Sequence, residues 1–287
     1  VLETGSPPDW ALVDIAVPRP SIRLPGIAMA GFRHRATTHI DLAMVAHPSV
    51  TVLIDLSEGE GTVYDTRERH ERGSVVVGLM PGDLRAGGQG AGECLQIRLE
   101  PVAAAAVLGG ASAELSGGLA PLEQLWGQEA RLAEERLRAA SSWDERFAIA
   151  AALLARRLAA RDAVDPAVAH VWRRLAGSRG RARVEGLADE VGWSRKRLWA
   201  RFRAQLGIGP KRAARLVRFD HAAHLLASGR PAAEVAARSG YADQSHLSRE
   251  ARVFAGLTPA GVAVAPWLAI DEVAWPRLGG AAGSLGG

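Results

Sequence analysis

Sulfur chemistry is almost missing from this chain, which holds one cysteine, Cys94, in 287 residues. A lone thiol excludes an intrachain disulfide and a cysteine-rich zinc site, and just before a strand-like run it reads as an inert buried group. Long apolar runs are missing too, none approaching the ~18 residues of a membrane span. The start, VLETGSPPD, has neither the basic residues nor the apolar stretch of a secretory signal, so the expectation is no membrane and a reduced, cytoplasmic setting. His34, His39, His47 and His70 occur without a close His-x-His pair and a following Glu, so no metal site and no cofactor is expected. A nucleophile elbow, a P-loop and a dinucleotide-binding glycine motif are all absent, which weighs against an enzyme.

What is present is a charge divided between two halves. Residues 166–265 hold 18 Lys and Arg against 7 Asp and Glu, whereas the rest of the chain holds 17 against 24. The formal charge of +4 therefore hides a basic half and an acidic half, as expected when one domain meets phosphates. Nearly all these cations are Arg, which suits bidentate contact with phosphate or guanine.

The basic half also repeats itself. Leu187, Gly192 and Trp193 recur 48 residues later as Val235, Gly240 and Tyr241; Leu198, Arg203, Gly207, Ile208 and Pro210 recur 49 later as Leu247, Arg252, Gly256, Leu257 and Pro259. The second copy thus carries one extra turn residue. Each copy reads as an apolar-patterned helix, a glycine suited to a left-handed C-cap, an aromatic, and then a Ser or Asp that starts the next helix. That is a helix-turn-helix, whose second helix presents its N-terminal side chains to base edges in the major groove.

The stretch SGYADQSHLSR followed by GLTP, with ADEVGWSRKRLWARFRAQLGIGP before it, resembles the DNA-binding domain of the AraC/XylS family of bacterial transcription regulators. The resemblance runs over roughly residues 166–265 and implies a seven-helix domain with two recognition helices. Two departures limit it. Ala200 stands where that family often projects an Arg, and Ala251 replaces the aromatic that corresponds to Phe202, with Phe254 available to refill the core.

The expected recognition helices begin near Ser194 and Asp243. On the first, Ser194, Arg195, Lys196, Arg197, Trp199 and Arg203 are candidates for DNA contact; on the second, Asp243, Gln244, Ser245, His246, Ser248 and Arg249. Arg195, Lys196, Gln244 and Arg249 are the base-reading candidates, since Gln pairs with adenine and Arg with guanine. Trp199 either packs on a sugar or thymine methyl or belongs partly to the core. Between the units, 210–228 reads as one helix of roughly 27 Å, comparable with the ~34 Å between successive major grooves. Its Lys211, Arg215 and Arg218 are either phosphate contacts or a solvated basic face.

Residues 20–107 carry short apolar runs: Val50, Val52, Ile54 and Leu56 alternate with Thr51, Leu53 and Asp55, and Leu95, Ile97 and Leu99 with Gln96 and Arg98. Gly59, Gly61, Gly73, Pro81-Gly82 and the Gly87 to Gly92 cluster punctuate them, which predicts a small antiparallel β-barrel or sandwich. Two amphipathic helices should cover it, one striped by Leu122, Trp126, Ala130, Ala133 and Leu137, the other by Trp143, Phe147, Ala150, Leu154 and Leu158. Phe32, Val52, Ile54, Tyr64 and Leu95 are the inward-facing candidates for lining a pocket.

The reading is an α+β chain: a β-rich sensor or dimerisation domain over 1–158, a linker over 159–167, an all-α double helix-turn-helix domain over 168–265, and a tail over 266–287, disordered from Leu278 onward. Double-stranded DNA is the expected partner. Small-molecule effector, RNA polymerase and a second copy of the chain are candidate partners, the resemblance implying an effector held in the β-domain. The alternative is a β-domain that only dimerises or binds a protein.

Overall fold

The computed structural model describes residues 10–275 except 36–39, 45, 60, 67–68, 80–83, 89–91, 116, 161–163, 266–267 and 269. The VLETGSPPD start, His39, Pro81-Gly82, the middle of the Gly87 to Gly92 cluster, part of the 159–167 linker and the end from Leu278 lie outside the described residues.

Short β-branched runs become strands β1 (Val13–Ala16), β2 (Ile27–His34), β3 (Ile40–Ala43), β4 (Val50–Asp55), β5 (Val63–Asp65), β6 (His70–Arg72), β7 (Val75–Val77), β8 (Arg85–Gly88), β9 (Gly92–Leu99) and β10 (Leu119–Pro121). They form two antiparallel sheets, ordered β1-β2-β9-β4-β7-β10 and β3-β8-β5-β6. Among the described residues no closed barrel forms, so of the two expected forms the sandwich is the one adopted. The larger sheet is covered on both faces. Val52, Ile54, Leu95, Ile97 and Leu99 pack into the helical layer, while Leu53, Val75, Val77 and Leu119 join Tyr64 of the smaller sheet in a second cluster. For this reason every residue of β4 is buried, which a strand with one wet face would not require.

The helical layer is richer than the two expected helices. It comprises α1 (Pro101–Leu108), α2 (Ala111–Glu114), α3 (Leu122–Trp126), α4 (Gln128–Ala139) and α5 (Trp143–Ala159). Gly127 takes a left-handed φ of 59° and divides the first expected helix into α3 and α4. Pro at its first position starts α1 in an alanine run with too little amphipathic contrast to read as a covering helix. Of the expected stripes, Leu122, Trp126, Ala130, Ala133, Leu137, Phe147, Ala150 and Leu154 are buried. Trp143 lies so close over Gly31 of β2 that a Cβ there would overlap its ring.

Beyond the linker come α6 (Pro166–Gly177), α7 (Val184–Glu190), α8 (Arg195–Leu206), α9 (Pro210–Ala227), α10 (Ala232–Arg238), α11 (Gln244–Ala255) and α12 (Pro259–Ala263), seven helices among the described residues; a short α13 (Asp271–Ala274) follows. Asp165 caps α6, its carboxylate accepting from the Ala167 N–H at 2.9 Å. One apolar core runs without a break from Leu95, Ile97 and Leu99 through Phe147 and Leu154 to Phe202, Phe219 and Leu247. The expected tail is partly ordered: α13 packs near β1, and Trp275 meets Phe32 at 6.4 Å between ring centres.

Candidate functional site

The two repeats are the same device built twice. Gly192 and Gly240 have φ of 65° and 74°. Behind each, the aromatic's N–H returns to the preceding helix, Trp193 to Ala188 O and Tyr241 to Ala236 O, both at 2.9 Å. The reading helix then starts on a side-chain cap, Ser194 accepting from Arg197 N–H and Asp243 from His246 N–H. The extra residue of the second copy is Ala242, between the aromatic and the cap. Both reading helices end on left-handed glycines, Gly207 and Gly256.

The apolar sides of α8 and α11 are fixed by Leu198, Phe202 and Leu206 and by Leu247, Ala251 and Phe254, all buried. Phe254 stacks on Phe219 of α9 at 5.3 Å, filling the space left by Ala251. A second tie crosses the same junction: Arg215 of α9 grips buried Glu250 of α11 with both Nε and Nη2, the shortest contact being 2.7 Å.

The outward side holds most of the expected contact residues. Ser194, Arg195, Lys196, Arg197, Trp199, Arg203, Lys211, Asp243, Gln244, Ser245 and Arg249 are exposed. Arg195 makes only a solvent-exposed pair with Glu185 at 3.4 Å, and Arg249 rests on its own helix through Ser245 O. Arg197 and Arg203 lie over the Trp193 and Trp199 rings. The Trp199 indole packs against Gly209 while half of the side chain stays in solvent. Three residues are drawn further inward. His246 sits edge-on to Tyr241, the Ser248 hydroxyl donates to Gln244 O, and the half-buried Arg218 donates to Gly180 O at 2.9 Å while lying over the Tyr241 ring. Arg218 therefore ties the α6–α7 loop to α9 instead of standing on an open basic face.

The C-terminal ends of the same helices are docked on the N-terminal domain. Gly207 abuts the backbone of Ala113 in α2 so closely that a Cβ would clash, and Ala46 N–H donates to Phe254 O at 3.2 Å. Each reading helix thus offers its N-terminal end to solvent and anchors its C-terminal end on the N-terminal domain.

Between the two sheets, α9 and the segment after α12 lies a cavity of about 200 Å³. Of the five expected pocket residues, Phe32 and Tyr64 line it; Val52, Ile54 and Leu95 point to the opposite face of the sheet. The polar alternates of β9 line it instead, Cys94, Gln96 and Arg98. Alternation marked these as one face of β9, and only the second sheet and α9 enclose that face. Arg98 Nη1 pairs with Asp271 Oδ1 at 3.0 Å, and Asp271 Oδ2 meets His224 Nε2 of α9 at 2.7 Å. Burial works against a charged His224, but Asp271 and Asp220 outweigh it and raise its pKa to about 9. Burial and Arg98 drive His47 the other way, to about 3. Burial also pushes the Cys94 thiol up to about 12, an inert group as the sequence suggests. Among the described residues, no three His, Cys, Asp or Glu gather as a metal site, and no helix is long and apolar enough to cross a membrane.

Paired helix-turn-helix units with exposed, basic reading ends define a DNA-binding transcription regulator. Residues 187–263 match the family model of a helix-turn-helix domain. Over that stretch the chain carries the helix-turn-helix domain that its sequence resemblance to the AraC/XylS family implies. No curated protein matches its sequence. Among solved structures, the chain is similar to ToxT from Vibrio cholerae O395, with 11% identity over 86% of this chain and 98% of that one and a TM-score of 0.47. It is also similar to the C-terminal domain of AraT, a response regulator from Geobacillus stearothermophilus, with 25% identity over 35% and 85% and a TM-score of 0.33. A third is the AraC-like transcriptional activator CuxR, with 14% identity over 67% and 81% and a TM-score of 0.31.

Proposed function

We propose that this regulator reads a specific DNA site through the N-terminal ends of α8 and α11, and that a small molecule held by the N-terminal domain controls how those ends are presented. Arg195, Lys196, Gln244 and Arg249 are the base readers; Lys211, Arg197, Arg203 and the Ser194 hydroxyl supply backbone contacts, while Asp243 fixes the start of α11. The observation that carries this reading is the polarity of the two helices, with side chains free at one end and a seat on the cavity-bearing domain at the other. A ligand that prefers one seating over another shifts the population of reading-competent molecules by its differential affinity. The chain would act in the cytoplasm, as a homodimer where its operator holds paired sites, and alongside RNA polymerase at a promoter.

Footprinting of the full chain on promoter DNA tests the first half. Protection of two short segments about one turn apart is expected; salt-labile protection indifferent to sequence would refute specific reading. For the second half, a thermal-shift screen of metabolites should find a compound that raises the melting temperature, because a ligand of the native state must stabilise it. An empty screen favours a sandwich domain that serves only for dimerisation or a protein partner.

A further inference from the structure

The cavity has a composition that goes beyond a generic pocket, and it is completed by a segment outside both the sandwich and the seven-helix domain. Three kinds of surface meet there.

The apolar part includes Phe32, Leu53, Tyr64 and Trp275. Trp275, after the second reading unit, lies over the Arg98 guanidinium at 4.1 Å and against Phe32, so the C-terminal segment forms one wall. Each charge on the described lining has a partner, the third carboxylate finding its own in two arginines that stand behind the lining. Arg98 and His224 face Asp271 and Asp220, and Glu93 at the other end is met by Arg146 at 3.1 Å and by Arg33. Burial raises the Glu93 carboxyl, but those two arginines more than offset it and hold it ionised. The third part is unspent hydrogen-bonding capacity. His34 Nδ1, His47 Nδ1 and Arg98 Nε are buried atoms of cavity-lining residues and have no partner among the described residues. His47 already uses its other ring nitrogen on Thr51 Oγ1 at 3.1 Å.

We infer that this cavity binds a compact, uncharged molecule with a ring-sized apolar body and one hydrogen-bonding end, enclosed jointly by β9, α9 and the C-terminal wall at Asp271 and Trp275. This rests on the effector reading above and names the chemistry of that effector.

Charge balance decides the class. A carboxylate or ammonium entering the cavity would surrender its hydration without finding an unmatched counter-charge, which is costly in a low-dielectric site. An uncharged amide, hydroxyl or ring N–H gives up less and can engage orphaned polar atoms that already bear the cost of being unpaired. Size points the same way, since cavities of ~150 Å³ accept benzene, and 200 Å³ leaves room for a ring with a polar substituent or a second fused ring.

Calorimetric titration of the full chain with matched probes tests this: benzamide and indole as uncharged rings, benzoate and decanoate as anions, benzylamine as a cation. Benzamide and indole should bind saturably and the ions at least about tenfold more weakly, a difference of ~1.4 kcal/mol. In Arg98→Gln the Asp271 carboxylate loses one of its two cationic partners, and benzylamine should gain on benzoate. Trp275→Ala should weaken indole about tenfold by removing an aromatic contact, and because Trp275 stands at the chain's periphery it guards against misfolding of the strand variant. A far-UV circular dichroism spectrum and a cooperative melt like those of the parent report that each variant is folded. Benzoate or decanoate binding as well as benzamide overturns the uncharged class and leaves the effector reading standing. An unchanged ranking in folded Arg98→Gln overturns the charge argument, and saturable binding by none of the probes overturns both readings of this cavity.

Discussion

Arg98, on an inner strand of the larger sheet, and Asp271, beyond the second reading unit, form an ion pair of 3.0 Å that fastens the end of the described chain to the sandwich. The other oxygen of Asp271 takes His224 of α9. Three parts distant in sequence thus share one carboxylate.

The first prediction concerns pH. His224 has a folded pKa of about 9 against an ordinary 6.5, so its contribution to stability is complete below about pH 6.5 and lost as pH rises through about 9, on the order of 2–3 kcal/mol. Denaturant unfolding between pH 6 and 10 should show that loss, and Asp271→Asn should flatten it. An undiminished slope in that variant would contradict the pairing. His47, held near 3, acts in the opposite sense: its contribution is present above about 6.5 and declines as pH falls toward 3.

A second prediction separates reading from backbone contact. Arg249→Ala should cost roughly 1–3 kcal/mol on the preferred site and relax choice at one base pair, whereas Lys211→Ala should weaken specific and random DNA alike and reduce the salt slope by about 1. Equal loss on both DNAs for Arg249→Ala would show that it touches phosphate only.

Arg215 and Glu250 supply a third. Removing the arginine leaves a buried carboxylate facing apolar surface, so Arg215→Met should destabilise by about 1–3 kcal/mol, less than for a fully buried pair because the arginine is partly solvated. The double change Arg215→Met with Glu250→Leu should recover most of it in chemical denaturation. If the double variant is no better than the single one, the uncompensated charge is not the cause.

Arg218, by its place on α9 a candidate phosphate contact, serves the Gly180 carbonyl and the Tyr241 ring. Arg218→Ala should accordingly lower the melting temperature, with the loss of a hydrogen bond made by a charged group worth ~1.5–3 kcal/mol. Its DNA affinity, measured well below that temperature, should change little.

Gly31 offers a fifth test, on the sandwich. Because the Trp143 ring occupies the place of a Cβ, Gly31→Ala should displace the start of α5 and cost about 1–3 kcal/mol by overpacking. A combined Gly31→Ala, Trp143→Leu variant should regain part of that loss.

The double reading motif was legible because everything it needs is local. A left-handed glycine, the aromatic behind it and a Ser or Asp cap act within a few residues, and the 48-to-49 offset even announced the extra Ala242. The refilling of the Ala251 gap by Phe254 was legible for the same reason, both lying on one helix. The covering helices were only partly so: their apolar stripes showed, but Gly127 breaks one of them and α1 has too little polar contrast to display a face.

The cavity was not legible. Phe32 and Tyr64 were among its expected residues, but strand alternation says only that Leu95, Ile97 and Leu99 share one face and Cys94, Gln96 and Arg98 the other. Which face meets an apolar core and which a polar cavity depends on what the second sheet, α9 and the C-terminal segment place against it. By itself the sequence determined that this chain carries two DNA-reading units and which side chains stand at their leading ends, because helix caps and turns are set by neighbours. Only the tertiary structure decided that those units are seated on the N-terminal domain through their trailing ends, and that Arg98, His224 and Asp271 meet. These contacts join residues up to 173 positions apart, and no local period records them.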